Sequence, residues 1–152
     1  ILISYYGLKQ KEILIQHPNQ NAEYATEPKT KYTGTFLKND DIEQYVSKIY
    51  HFMATEKPYL NADLSLPDLA NRLDIPSHHL SRVINEQFGV NFFDFINQYR
   101  IEEVKARIEN PEYQNLSLLG IAFDSGFNTK SAFNRVFKKM TGFTPSEYRK
   151  QL

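Results

Sequence analysis

The chain of 152 residues contains no cysteine. No disulfide framework can hold it together and no thiolate is available as a nucleophile, which fits a reducing compartment. Net charge is also missing, with 18 basic against 18 acidic residues, and taken alone that argues against a polyanionic partner. Long apolar runs are absent too: the run at residues 1–8 has eight residues, where a bilayer-spanning helix needs about 20. From Asp40 onward no stretch keeps the strict alternation of a half-buried strand. Nor is there a nucleophile paired with a base, a metal-ligand cluster or a phosphate-binding loop. Catalysis is not expected, and neither is a cofactor.

What is present suits a folded domain. Hydrophobic residues make up 41% and aromatics 14%, enough to build a core in a chain of this length. The zero net charge is a sum of unlike parts. Residues 40–76 set three basic residues (Lys48, Lys57, Arg72) against seven acidic ones (Asp40, Asp41, Glu43, Glu56, Asp63, Asp68, Asp74), a balance of −4. Residues 128–152 set six (Lys130, Arg135, Lys138, Lys139, Arg149, Lys150) against Glu147 alone, a balance of +5. Because charge is felt over only about 8–10 Å at cellular salt, the local balance governs what each segment attracts.

The first 38 residues differ from the rest. Residues 1–8 are apolar and aromatic, Lys9 and Lys11 follow, then the short patch Ile13-Leu14-Ile15; residues 17–35 are mostly polar and read as a linker. The apolar head has two readings, the cut end of a membrane helix with lysine flanks or a strand or short helix lying on the domain. Beyond residue 38 helix signals recur. Asp40 with Glu43 can cap a helix carrying Ile42, Tyr45, Val46, Ile49, Tyr50 and Met53, closed by Pro58. Ser65 can cap a short helix, Pro76 suits the first turn of the next, and Asn91 with Asp94 can cap a long helix running to Ile108. Ser117 starts another short helix, Asn128 or Thr129 a further one ending at Gly142, and Thr144-Pro145-Ser146-Glu147 forms a capping box. The expected fold is all-α, with about seven helices.

An internal repeat organises these helices. Residues 80–89 (LSRVINEQFG) match residues 133–142 (FNRVFKKMTG) at an offset of 53, and Leu69-Ala70 matches Ile121-Ala122 at an offset of 52. Each copy is a short apolar helix, a tight turn (Asp74-Ile75-Pro76 or Gly126-Phe127-Asn128) and a second helix of about three turns. That is a helix-turn-helix layout, whose second helix fits the DNA major groove. The expected organisation is an N-terminal segment at 1–38 and a DNA-binding domain at 39–152. The domain divides into a first helix-turn-helix at 65–89, a linker helix at 91–109, a second helix-turn-helix at 117–142 and a closing helix at 144–151.

A helix in the groove must present polar groups with reach. In the first unit the outward residues are His78, Ser81 and Arg82; in the second they are Lys130, Ser131, Asn134 and Arg135. Arginine can grip guanine with two hydrogen bonds and asparagine can do so with adenine, so these seven are candidates for base contact. Ser77, Asn85, Thr129, Lys138 and Lys139 suit phosphates. The competing reading, that both faces are merely solvated, is weakened by arginines at matching positions in two units. A linker of 18 residues, Asn91 to Ile108, would be about 27 Å long, close to the roughly 34 Å between successive major grooves.

At this point the residues resemble a known family. Residues 121–127 (IAFDSGF), 131–139 (SAFNRVFKK) and 141–149 (TGFTPSEYR) are similar to the signature of the AraC/XylS family DNA-binding domain, and the likeness extends over about residues 41 to 151. The resemblance implies a bipartite domain with one recognition helix per unit and base contacts from the seven residues already named. The first unit departs from the family pattern at Ser81 and Asn85-Glu86, where longer or basic side chains are common, and Glu86 would repel a phosphate it faced. Residues 78–81, 91–97 and 99–100 are similar to members in which the domain follows a sensor, and residues 5–10 resemble the end of a membrane-embedded one. The implied partner is double-stranded DNA, with RNA polymerase and a homodimer through a region outside this chain as further candidates. The implied location of the DNA-binding part is the cytoplasm, and a membrane anchor on the whole protein stays open. The alternative function is a helix-turn-helix module that docks polymerase or a sensor partner.

Remaining constellations have plainer readings. His78 and His79 are adjacent on a helix and point about 100° apart, so they do not form a metal site together. Phe92, Phe93, Phe95, Ile96 and Tyr99 read as core, so no small-molecule ligand is expected in this domain. Arg100, inside that apolar stretch, is expected to pair with an acidic group.

Overall fold

Short-range capping chemistry sets where most of the helices begin. In a computed structural model, which describes residues 37–152, the order is α1 (Asn39–Thr55), a 3-10 turn (Pro58–Leu60), α2 (Leu66–Leu73), α3 (Ser77–Gln87), α4 (Phe92–Glu109), a 3-10 turn (Pro111–Tyr113), α5 (Leu118–Asp124), α6 (Lys130–Thr141) and α7 (Pro145–Lys150). Among the described residues there is no strand, so the fold is all-α with seven α-helices. The readings of residues 1–35 as an apolar head and a linker lie outside the described residues. No described helix is long and apolar enough to cross a membrane.

Side-chain oxygens of Ser65, Asn91, Ser117, Thr129 and Thr144 accept backbone N–H bonds at the starts of α2, α4, α5, α6 and α7. Those of Ser65 and Thr144 are full capping boxes, closed by Asp68 and Glu147. The other two starts differ from expectation. Helix α1 begins two residues earlier than the Asp40 cap would place it: Lys38 is the N-cap, without a side-chain bond, and Asp40 and Asp41 lie in the first turn. There their charges still favour the positive end of the helix dipole. Pro76 is not in the first turn of α3 but caps it from an extended conformation.

The repeat seen in the sequence is also a repeat of turn geometry. The Ile75 N–H reaches the Ala70 carbonyl at 3.0 Å, and the Phe127 N–H reaches the Ala122 carbonyl at 3.1 Å. Each turn bends through a left-handed residue, Asp74 at φ 52° and Gly126 at φ 96°, and each buries the apolar residue that follows. An aspartate tolerates that conformation at some cost. Glycine at 126 is required for a further reason: a Cβ there would lie 2.2 Å from the Tyr59 carbonyl oxygen.

Two separate cores result. One gathers Ile49, Met53, Leu69, Leu73, Leu80, Ile84, Phe88, Phe95 and Ile96; the other gathers Ile101, Val104, Ile108, Ile121, Phe133 and Phe137. Helix α4 serves both. Its first half buries Phe95 and Ile96 with Tyr99 against the first unit, and its second half buries Ile101, Val104 and Ile108 against the second. At 3.6 residues per turn these two sets fall on nearly opposite sides of the helix. The aromatic stretch is therefore core, as its spacing suggests, except for Phe93, which is 68% exposed because it projects away from Phe95 and Ile96.

Candidate nucleic-acid interface

Helix α3 turns Leu80, Val83 and Ile84 inward, which leaves its other side for the candidate residues. His78 and Asn85 are exposed, and Ser77, Ser81 and Arg82 are half-buried. Arg82 donates from Nε to Glu86 Oε1 at 2.9 Å, one helical turn away. This pair is partly exposed, so it adds little stability, yet it orients the guanidinium and leaves both terminal nitrogens for other acceptors. The adjacent His79 is a packing residue. Both its ring nitrogens are buried without a hydrogen-bond partner among the described residues, and its ring lies 6.2 Å from that of Tyr45.

Burial pulls the His79 pKa below its ordinary value of 6.5, helped by the neighbouring His78 and Arg82 charges and opposed by Asp41. In the unfolded chain His79 takes up its proton more readily, so its contribution to stability is present above the ordinary value and is lost as pH falls below it. Denaturant unfolding at pH 7.5 and 5.5 should show a loss of stability that shrinks in His79→Gln. An unchanged difference would mean that other groups carry it.

Helix α6 buries Phe133, Val136 and Phe137 and exposes Lys130, Ser131, Asn134, Arg135, Lys138 and Lys139. Residues 131, 134, 135 and 138 follow helical spacing along one face. Asn134, Arg135, Lys138 and Lys139 line one wall of an open groove of about 660 Å³, whose other wall is Thr144, Pro145 and Ser146. The Thr129 hydroxyl is engaged as acceptor from the Ala132 N–H at 3.1 Å, so only its proton remains for an outside acceptor. Lys139 also meets Asp94 at the start of α4, 3.2 Å away. At an offset of 53 each outward position of α3 has a partner on α6: His78 with Ser131, Ser81 with Asn134, Arg82 with Arg135, Asn85 with Lys138 and Glu86 with Lys139.

The family model described as a helix-turn-helix domain matches residues 69–151. That span runs from within α2 through the rest of the first helix-turn-helix, the linker helix, the second helix-turn-helix and α7. The chain belongs to the AraC-type helix-turn-helix family. Among similar proteins of this type, an HTH-type transcriptional regulator of Staphylococcus aureus (strain COL) is 30% identical over 142 residues, covering 93% of this chain. The chain spans only 18% of that relative's length. A protein of unknown function from Listeria innocua superposes with a TM-score of 0.59 at 28% identity, over 70% of this chain and 95% of that one. The C-terminal domain of AraT, a response regulator from Geobacillus stearothermophilus, gives 0.54 at 25% identity, over 73% of this chain and 84% of that one.

Parts of the AraC-type signature are structural. In the closing Thr144-Pro145-Ser146-Glu147-Tyr148-Arg149 segment, Thr144 caps α7 and Pro145 is buried. The Tyr148 hydroxyl donates to Glu109 at 2.9 Å; burial and this bond push its pKa up to about 12. Arg149 donates to the Leu116 carbonyl at 3.3 Å, which ties part of the basic charge of residues 128–152 to the protein itself. Arg100 corrects an expectation. It has no acidic partner among the described residues and donates instead to the backbone carbonyls of Tyr59 at 2.8 Å and Asn61 at 2.9 Å. Its guanidinium carbon lies 5.9 Å from the centre of the Phe127 ring. The four-residue spacing of Arg82 and Glu86 is a readable signal for their pairing; nothing local in the sequence marks the Lys139–Asp94 bridge.

Proposed function

We propose that this chain is the DNA-binding end of a transcription regulator and that α3 and α6 enter successive major grooves of one DNA site. In this reading His78, Ser81, Arg82, Lys130, Ser131, Asn134 and Arg135 meet base edges. Ser77, Asn85, Thr129, Lys138 and Lys139 meet phosphates. The observation that carries the proposal is the doubling, in which two units expose matching polar faces with Arg82 and Arg135 at equivalent positions. A helix of 18 residues, about 27 Å long, is a suitable spacer for grooves roughly 34 Å apart.

The units differ in charge. Asn85 and Glu86 on α3 stand where α6 has Lys138 and Lys139, so most of the attraction to phosphate comes from the second unit. Selection from a random DNA pool should return a bipartite motif with half-elements about 10–11 base pairs apart. A single short element would limit base reading to one unit, and the failure of any DNA to bind at low salt would remove the assignment. Lys138→Ala should weaken binding to every sequence and reduce the salt slope by about one; an unchanged slope would take Lys138 off the phosphate list.

A further inference from the structure

The two units meet at a junction that the interface does not use. The 3-10 turn Pro58–Leu60 lies before the first helix-turn-helix, Arg100 sits midway along α4, and Gly126 and Phe127 form the turn of the second helix-turn-helix. Arg100 draws all three together. Its Nε and Nη2 take the Tyr59 and Asn61 carbonyls at 2.8 and 2.9 Å, and its guanidinium lies beside the Phe127 ring. A Cβ on Gly126 would be 2.8 Å from Arg100 Nε and 2.2 Å from the Tyr59 oxygen, so the second turn rests directly on the clamp.

A second bridge runs alongside. Lys57 and the Tyr59 hydroxyl both reach Glu103, at 3.1 and 3.3 Å. Glu103 also accepts from Arg107 at 2.9 Å, and Arg107 lies 4.0 Å from Asp124 on α5. Burial raises the Glu103 pKa, but the bonds and charges of Arg107 and Lys57 outweigh it and hold the carboxyl below its ordinary range. A linker gripped on opposite sides by two cores leaves bending and twisting to be limited by contacts of this kind.

Resting on the two-groove reading above, we propose that Arg100 is a positioning residue that sets the separation and angle of the two recognition helices. The chain then selects the spacing between half-elements as well as their sequences. Once one unit is bound, the second binds with an effective concentration that is high only where the rigid geometry meets the DNA. Each added base pair displaces the second half-element by about 3.4 Å and rotates it by roughly 35°. A clamped pair of units cannot follow that change, whereas a loosened pair can.

The test uses the whole chain, the selected DNA site, and versions with one base pair added or removed between the half-elements. The unmodified chain should lose about tenfold or more in affinity on either altered spacing. Arg100→Lys keeps the charge but cannot hold two carbonyls in a fork. It should reduce that loss to about threefold or less, with unchanged affinity for the isolated second half-element. A folded Arg100→Lys that keeps the full spacing loss overturns the proposal. So does an unmodified chain that tolerates both altered spacings, a result that needs no variant to fold. Absence of binding to any DNA, or selection of a single half-element, would instead overturn the two-groove reading and the proposal with it.

Discussion

Arg135→Ala should lower affinity for the selected site by about 1–3 kcal/mol, roughly five- to 150-fold, with the loss concentrated at one base position. The side chain is exposed on α6 beside Asn134 and Lys138, and it has no acidic partner among the described residues. Its guanidinium can therefore offer both terminal nitrogens to a guanine without first giving up an ion pair. Competition binding on the selected site and on its single-base variants gives the measurement. A uniform loss across all variants would make Arg135 a phosphate contact, and no loss would remove it from the interface. The equivalent Arg82 is bonded to Glu86, so in the proposed interface Glu86→Gln should raise affinity for all sequences by removing a negative charge from the face.

The largest expected effect on stability comes from the buried side of the same helix. Phe137 is fully buried, with its ring 5.6 Å from that of Phe133 and 5.5 Å from that of Tyr148. Phe137→Ala removes the ring that connects α6 to α7, at a cost of about 3–5 kcal/mol. Against a total stability on the order of 5–15 kcal/mol, this should lower the thermal midpoint by more than about 10 °C. Circular dichroism melts provide the check, with Lys138→Ala as a control on the exposed side that should stay within about 0.5 kcal/mol of the unmodified chain. A midpoint unchanged in Phe137→Ala would mean that the second core does not depend on this ring.

Much of the second unit is legible in the amino-acid sequence. Ser117, Thr129 and Thr144 stand immediately before apolar periodic stretches, and each caps a helix. Such signals work because a capping oxygen bonds an N–H two or three residues on, so the information is local. The exposed candidates on α6 are readable for the same reason, since burial of Phe133, Val136 and Phe137 leaves the remaining positions outside. Where sequence and structure part, a contact distant along the chain or the turn of a helix decides. Arg100, in an apolar stretch, calls for a carboxylate, yet two backbone carbonyls 41 and 39 residues away satisfy it. Phe93 lies among aromatics that form the core, but the turn of α4 carries it outward.

By itself, then, the sequence determined seven helices, two similar helix-turn-helix units and the polar faces they expose, because capping, periodicity and turn chemistry act within about four residues. Only the tertiary structure decided how α4 is shared between two cores, and that Lys139 is bridged to Asp94 across 45 residues. It also decided that Gly126 must be glycine because the Tyr59 carbonyl occupies the space of a Cβ. These depend on how two separately packed units dock, and no short pattern in the chain encodes the angle at which they meet.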